Sequence, residues 1–92
     1  MEIQTKNIDF FEGYSNRQVV LNYYNEEDYL WKRDGFHFYS LQILNDQLIF
    51  LKKDGKFLTI SLSYYENIVR NNDFQNYFLL WKDMERLEIY FP

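Results

Sequence analysis

Short turn-forming dipeptides, spaced about ten residues apart, place the strongest restriction on the fold of this 92-residue sequence. They are Asp34-Gly35, Asn45-Asp46 and Asp54-Gly55, and apolar and polar residues alternate in the runs between them. An Asp-Gly pair suits a two-residue hairpin, because both central residues of a type I′ turn need a positive φ. Alternating runs between such turns indicate antiparallel strands that follow one another as a meander.

Five runs of the sequence have the composition of strands. They cover residues 17–24, 29–32, 36–44, 47–52 and 56–62. Alternation in run 36–44 predicts that Phe36 and Phe38 lie on one face and that Leu41 and Ile43 lie on the other. In run 56–62 the same alternation predicts that the face carrying Leu58 is buried.

The sequence changes its period after residue 62. Ser63 and Glu66 have the spacing of a capping box, and apolar residues then recur at helical spacing, so a short helix is predicted over 63–70. Residues 74–84 fit either a helix or a strand over 77–81, and we favour the helix. Strict alternation predicts a terminal strand over 86–91.

The composition favours strands. Alanine, the best helix former, is absent, and Phe, Trp and Tyr make up 22% of the residues. The expected fold class is α+β and strand-dominated: an antiparallel meander sheet with one or two short helices, in a single domain over residues 1–92. An all-β small barrel or sandwich is the alternative.

Few residues are available for catalysis or for metal binding. The chain has no cysteine, its single histidine is His37, and its three glycines are isolated rather than grouped in a phosphate-binding loop. We therefore predict a non-enzymatic protein without catalytic residues, metal or cofactor. No apolar run has the ~18 residues of a membrane span, and no signal peptide is recognised, so a cytoplasmic protein without membrane contact is expected.

The negative charge of the chain is concentrated in its first half. The net charge is −4, and residues 1–46 carry eight acidic and four basic side chains. Glu26, Glu27 and Asp28 are the densest acidic stretch. Such a surface repels nucleic acid and suits a basic protein partner, so direct nucleic-acid binding is not expected.

Tyrosine and tryptophan flank this acidic stretch, and both are frequent in interface hot spots. The predicted partner-binding residues are Tyr23, Glu26, Glu27, Asp28, Tyr29 and Trp31. Alternatively, Tyr24, Leu30 and Trp31 belong to the core and the acidic residues form a solvated loop. The pair Tyr64-Tyr65 is expected to provide one buried ring and one exposed ring.

These features suggest a function in which the protein occupies the surface of another protein. Phe, Tyr, Met, Ile, Asn and Lys, which have AT-rich codons, account for 42 of the 92 residues, as is typical of low-GC bacteria and their phages. We expect an inhibitor or accessory protein of a phage or mobile element, of the anti-defence, nuclease-inhibitor or immunity type. Its acidic surface would mimic nucleic acid and block a basic surface of its partner. The alternatives are a homo-oligomeric assembly module, such as a homodimer, or a module that stacks a small ligand on its aromatic rings.

Overall fold

The computed structural model describes residues 2–4, 11, 13–25, 29–71 and 76–92, and it contains one antiparallel sheet. The strands are β1 (Glu2–Gln4), β2 (Ser15–Asn25), β3 (Tyr29–Leu44), β4 (Gln47–Lys52), β5 (Phe57–Ser61), β6 (Asn67–Asn71), β7 (Tyr77–Lys82) and β8 (Glu85–Tyr90). Their order across the sheet is β1-β6-β7-β8-β2-β3-β4-β5. The strand-dominated, antiparallel part of the prediction is confirmed, and the fold is mostly β.

The helix predicted over 63–70 is wrong. Only a 3-10 turn forms, at Leu62–Tyr64, and the chain then continues as β6. The Glu66 N–H donates to the carbonyl of Trp81 in β7, and the Ser63 hydroxyl lies 3.1 Å from the Ser61 hydroxyl, so no capping box forms. Pairing of β6 with β1 on one side and β7 on the other outweighs the weak helical pattern of this short segment.

The helix favoured for residues 74–84 is also wrong for the described part of that segment. Residues 77–82 form β7, which confirms the alternative of a strand over 77–81, and residues 74 and 75 lie outside the described residues. Phe78 and Leu80 are buried in the core and alternate with Tyr77 and Trp81 on the other face. A tight turn, with Asp83 at φ 52°, leads into β8, which confirms the predicted terminal strand.

Two of the three predicted turns are confirmed, and the turn at Asp34-Gly35 is wrong. Asn45 and Asp46 have φ of 51° and 59°, as a type I′ turn requires, and Gly55 has φ of 87° in the β4–β5 turn. Gly35 instead lies within the 16-residue β3, opposite Val20 of β2. The long β2 pairs with both sides of the dipeptide, and this pairing holds it extended.

The faces predicted for residues 36–44 are correct for only part of that run. The β3–β4 register shifts between Phe38 and Ser40, which is an irregularity of the bulge type. Phe36 and Phe38 pack on the core before the shift, and Leu41 and Ile43 pack on it afterwards. Because the shift reverses the alternation, apolar residues on both sides of it reach the same core.

The sheet curls around one face. Strands β5 and β6 are six positions apart in the sheet order, which would separate them by about 29 Å in a flat sheet. Residues 62–66 connect them, and this link spans at most about 20 Å when extended. The molecule accordingly measures 34 × 27 × 26 Å instead of forming a thin slab.

The curled sheet encloses a core that is rich in phenylalanine. Its buried members come from every strand between β2 and β8, together with Phe11, Leu62 and Phe91. The Phe91 ring lies 5.9 Å from Phe38 and 6.1 Å from Phe78 between ring centroids, in edge-to-face arrangements. Phe91 therefore joins side chains of β3 to those of β7 across the interior.

Candidate partner-binding surface

Three consecutive large side chains are exposed at the end of the β2–β3 hairpin. Tyr29, Leu30 and Trp31, which we call the hairpin-end surface, are 65%, 39% and 52% exposed. The alternative in which Leu30 and Trp31 belong to the core is wrong. Strand β4 pairs with β3 only from Phe38 onward, so the first part of β3 extends beyond its neighbour on that side.

Contacts with β2 support the ring of Trp31. It lies 5.5 Å from the Tyr23 ring between centroids, tilted by 47°, and the Lys32 ammonium lies 5.2 Å from the same Tyr23 ring. Burial raises the pKa of the Tyr23 hydroxyl, and the negative charge of Asp34 raises it further. Tyr23 is therefore a neutral, half-buried support for Trp31, whereas Tyr29 and Trp31 present their area to solvent.

The acidic residues of the predicted site, Glu26, Glu27 and Asp28, lie outside the described residues. The residues that flank them are paired, since Asn25 of β2 lies opposite Tyr29 of β3. In the sequence, residues 26–28 follow the last residue of β2 and precede the first residue of β3. The structure places Tyr23, Tyr29 and Trp31 at one end of one hairpin.

A cleft lies next to Tyr23, where the chain crosses from β5 to β6. Its volume is about 260 Å³, and we call it the tyrosine cleft. Its lining residues are Tyr23, Thr59, Ile60, Ser61, Tyr64 and Tyr65. Because Tyr23 lines the cleft and also supports Trp31, the cleft and the hairpin-end surface are neighbours.

The two tyrosines after β5 differ in exposure, as expected from the sequence. Tyr65 packs against the core, and burial raises its pKa to about 12. Tyr64 is 43% exposed, and its hydroxyl donates a hydrogen bond to Glu85, which raises the pKa of Tyr64. The Lys82 ammonium lies 4.2 Å from the Tyr64 ring. Both hydroxyls keep their protons near neutral pH.

Sequence reasoning missed the part of the cleft that β5 provides. Thr59, Ile60 and Ser61 belong to an ordinary alternating run, and no local signal distinguishes them. They line a cleft only because β5 ends the sheet and the next five residues cross toward β6. That placement depends on the strand order, which the local pattern does not encode.

The remaining candidate for chemistry is isolated. His37 is exposed in β3, and its carbonyl accepts a hydrogen bond from the Lys53 N–H. Within the described ranges, no group of three or more His, Cys, Asp or Glu side chains is arranged to hold a metal ion. No helix in the described part of the chain is long and apolar enough to cross a membrane.

Comparison of the chain with protein-family models, with curated proteins and with solved structures gave no match. The functional interpretation therefore depends on the residues and their geometry.

Proposed function

We propose that this protein is a small, acidic, non-enzymatic binding module that blocks a basic surface of a partner protein. The single observation that carries the proposal is the exposure of Tyr29, Leu30 and Trp31 directly after the acidic residues 26–28. Large apolar side chains that remain exposed together are typical of binding surfaces. Tyr29 and Trp31 share the face of Tyr23, whereas Leu30 lies opposite Tyr24 on the other face of the hairpin. The composition of the gene product supports an origin in a phage or mobile element, with an inhibitory role.

The two kinds of residue would contribute differently to binding. The acidic residues would attract a basic partner over a distance of about 8 Å at physiological ionic strength and would speed association. Tyr29 and Trp31 would supply buried area at the contact. Since Tyr23 already restricts the Trp31 ring, less side-chain entropy would be lost when a partner covers it.

The test compares two charge variants of equal net charge. Glu26→Gln, Glu27→Gln and Asp28→Asn together remove three negative charges, so the net charge changes from −4 to −1. The control, Gln18→Lys, Gln42→Lys and Gln47→Lys, adds three positive charges at exposed strand positions and gives the same −1. Proteins that the parent captures from a lysate of the host are the candidate partners, and their affinities are then measured over a salt series.

We expect the 26–28 variant to bind its partner at least tenfold more weakly, whereas the control binds like the parent. Both variants should keep the parent's unfolding midpoint, because the proposal requires the residues at 26–28 to be accessible to a partner and changes at accessible charges usually alter stability by about 0.5 kcal/mol or less. Trp31→Ala is a second probe, because a tryptophan that is half exposed costs less than the ~3–5 kcal/mol of a buried one. Equal weakening by both charge variants would mean that only the overall charge matters, and the proposal would be wrong.

A further inference from the structure

Strand β5 is the last strand of the sheet, and no strand among the described residues pairs with its outer edge. It pairs with β4 in a regular antiparallel register from Gln47–Ser61 to Leu51–Phe57. The Lys52 N–H donates to the carbonyl of Lys56 at 2.8 Å. This bond shows which residues of β5 point their backbone groups toward β4. In an antiparallel pair every second residue bonds to the neighbouring strand. Leu58 and Ile60 therefore direct their backbone groups toward β4.

The alternate residues of β5 direct their backbone groups away from the sheet. These groups are the N–H and the carbonyl of Phe57, the N–H and the carbonyl of Thr59, and the N–H of Ser61. The Ser61 carbonyl is not among them, because it accepts the first hydrogen bond of the 3-10 turn. No described residue bonds to them. All three side chains are exposed, with Phe57 at 69%.

This edge lacks the features that usually prevent strands from pairing between molecules. Such features include short strands, charged side chains, proline and bulges. β1, at the opposite end of the sheet, has only three residues. The part of β3 that pairs with β2 but not with β4 contains Lys32, Arg33 and Asp34. β5 (Phe57–Ser61) has no charged residue, no proline and a regular register.

We propose that β5 pairs with β5 of a second copy of this chain, antiparallel and about a two-fold axis at Thr59. The two Thr59 residues would then lie opposite each other and exchange two backbone hydrogen bonds. Phe57 would lie opposite Ser61 of the second copy, with the Ser61 N–H donating to the Phe57 carbonyl. The two sheets would become continuous through a symmetric interface of the kind that closes a dimer.

The charges at the two ends of β5 favour this antiparallel arrangement. The β4–β5 turn carries Lys53, Asp54 and Lys56, with a net charge of +1, whereas the other end leads to Glu66 and to Glu85 and Lys82 beside Tyr64, with a net charge of −1. The two-fold axis brings the basic end of each copy to the acidic end of the other. A parallel arrangement would bring like charges together, so the pairing direction and the charge pattern agree.

The exposed Phe57 also finds a neighbour in this arrangement. Its register places it opposite Ser61, which lines the tyrosine cleft. The ring, which in the monomer contacts water over most of its area, would move next to the cleft of the second copy. One two-fold axis thus brings together the outer edge of β5, the exposed Phe57 ring and the tyrosine cleft.

The test uses the direct opposition of the two Thr59 side chains. Sedimentation of the parent from about 1 µM to about 1 mM should show a monomer–dimer equilibrium that weakens as salt is added. Thr59→Lys and Thr59→Glu should each be monomeric over this range, because each places like charges opposite each other. An equimolar mixture of the two variants should restore a dimer that contains one copy of each. The matched controls Gln42→Lys and Gln42→Glu, exposed on β3 away from the edge, should dimerise like the parent.

A second measurement needs no variant. Amide exchange of Thr59 and Ser61 should slow as the concentration of the parent rises, whereas Leu58 and Ile60, which bond to β4, should exchange at a constant rate. A parent that remains monomeric to about 1 mM would overturn the proposal, as would folded Thr59 variants that dimerise alone or a mixture that stays monomeric. Binding to the basic partner is tested separately with the 26–28 charge variant, because Thr59 lines the same cleft as Tyr23 and its variants are used only for the oligomeric state.

Discussion

At the scale of single residues, the same dipeptide has two structures in this chain. Asp54-Gly55 forms a turn in which Asp54 accepts a hydrogen bond from the Lys56 N–H and Gly55 has φ of 87°. Asp34-Gly35 lies in the middle of β3, where Asp34 faces Leu21 and Gly35 faces Val20. Local turn chemistry decides the first case, and strand pairing decides the second.

This difference predicts opposite effects for one substitution at the two glycines. Gly55→Ala should destabilise the protein by about 1 kcal/mol or more, because its positive φ is unfavourable for a residue with a Cβ. Gly35→Ala should stabilise it by about 0.4–1 kcal/mol, since the alanine reduces the freedom of the unfolded chain. The new Cβ at Gly35 would meet its nearest atom, the Val19 carbonyl oxygen, at 3.8 Å, which is ordinary contact.

Urea unfolding of both variants and the parent measures these changes. Each glycine serves as the control for the other, because both variants add the same methyl group. If Gly35→Ala lost stability to the same extent as Gly55→Ala, Gly35 would need a glycine-specific conformation and its placement within β3 would be wrong.

At the scale of elements, regular alternation was a good guide where a strand had one buried face. It predicted β4, β5 and β8 with nearly correct bounds. It failed for β6, because the adjacent Ile68 and Val69 are both buried, on opposite faces of the sheet, and a pair of apolar residues is also compatible with a helix. Tyr29 and Trp31 of the predicted site are exposed, and their role in binding stays a prediction. The cleft and the β5 edge depend on strand order and have no local signal.

The face of the sheet opposite the core is also packed around one arginine. The Arg86 guanidinium of β8 lies 4.2 Å from the Tyr24 ring and 5.7 Å from the Trp81 ring, and its Nε lies 3.2 Å from Glu88 Oε2. Both members of this ion pair are largely buried, with side-chain exposures of 18% and 12%. Burial and a hydrogen bond to Glu88 raise the pKa of Tyr77, so the network extends into β7.

We expect Arg86→Ala to destabilise the protein by about 2–4 kcal/mol, because it removes the packing of the guanidinium on two rings and leaves Glu88 without its ion-pair partner. Arg86→Lys should recover only part of this loss, because an ammonium lacks the planar surface that stacks on both rings. The free energies of unfolding of Arg86→Ala, Glu88→Gln and the double variant give the coupling between the two residues. Independent, additive effects would show that the ion pair does not contribute to stability.

At the scale of the whole molecule, two local meanders share one sheet. Strands β2 to β5 are neighbours in the order in which they occur along the chain, and so are β6 to β8. Among the described strands, backbone pairing joins the two meanders only between β8 and β2, from Val20–Tyr90 to Tyr24–Arg86. The strand nearest the carboxyl end of the chain therefore lies near the middle of the sheet, and the core is complete only when this pairing forms.

This arrangement predicts the pattern of amide exchange in the monomer. Amides of β8 are bonded to β7 or β2 and lie between buried residues such as Leu87 and Ile89, so they should exchange only when the whole molecule unfolds. Their free energy of exchange should equal the free energy of unfolding, which for a domain of this size is about 5–15 kcal/mol. The bonded amides of β5 should open by local separation from β4 at a lower free energy.

Exchange measured by NMR at low protein concentration, with small additions of urea, distinguishes global unfolding from local opening, because only global unfolding has the full urea dependence. Faster exchange in β8 than in β5 would mean that the β2–β8 pairing is the weakest contact in the sheet and that the two meanders separate before either one opens.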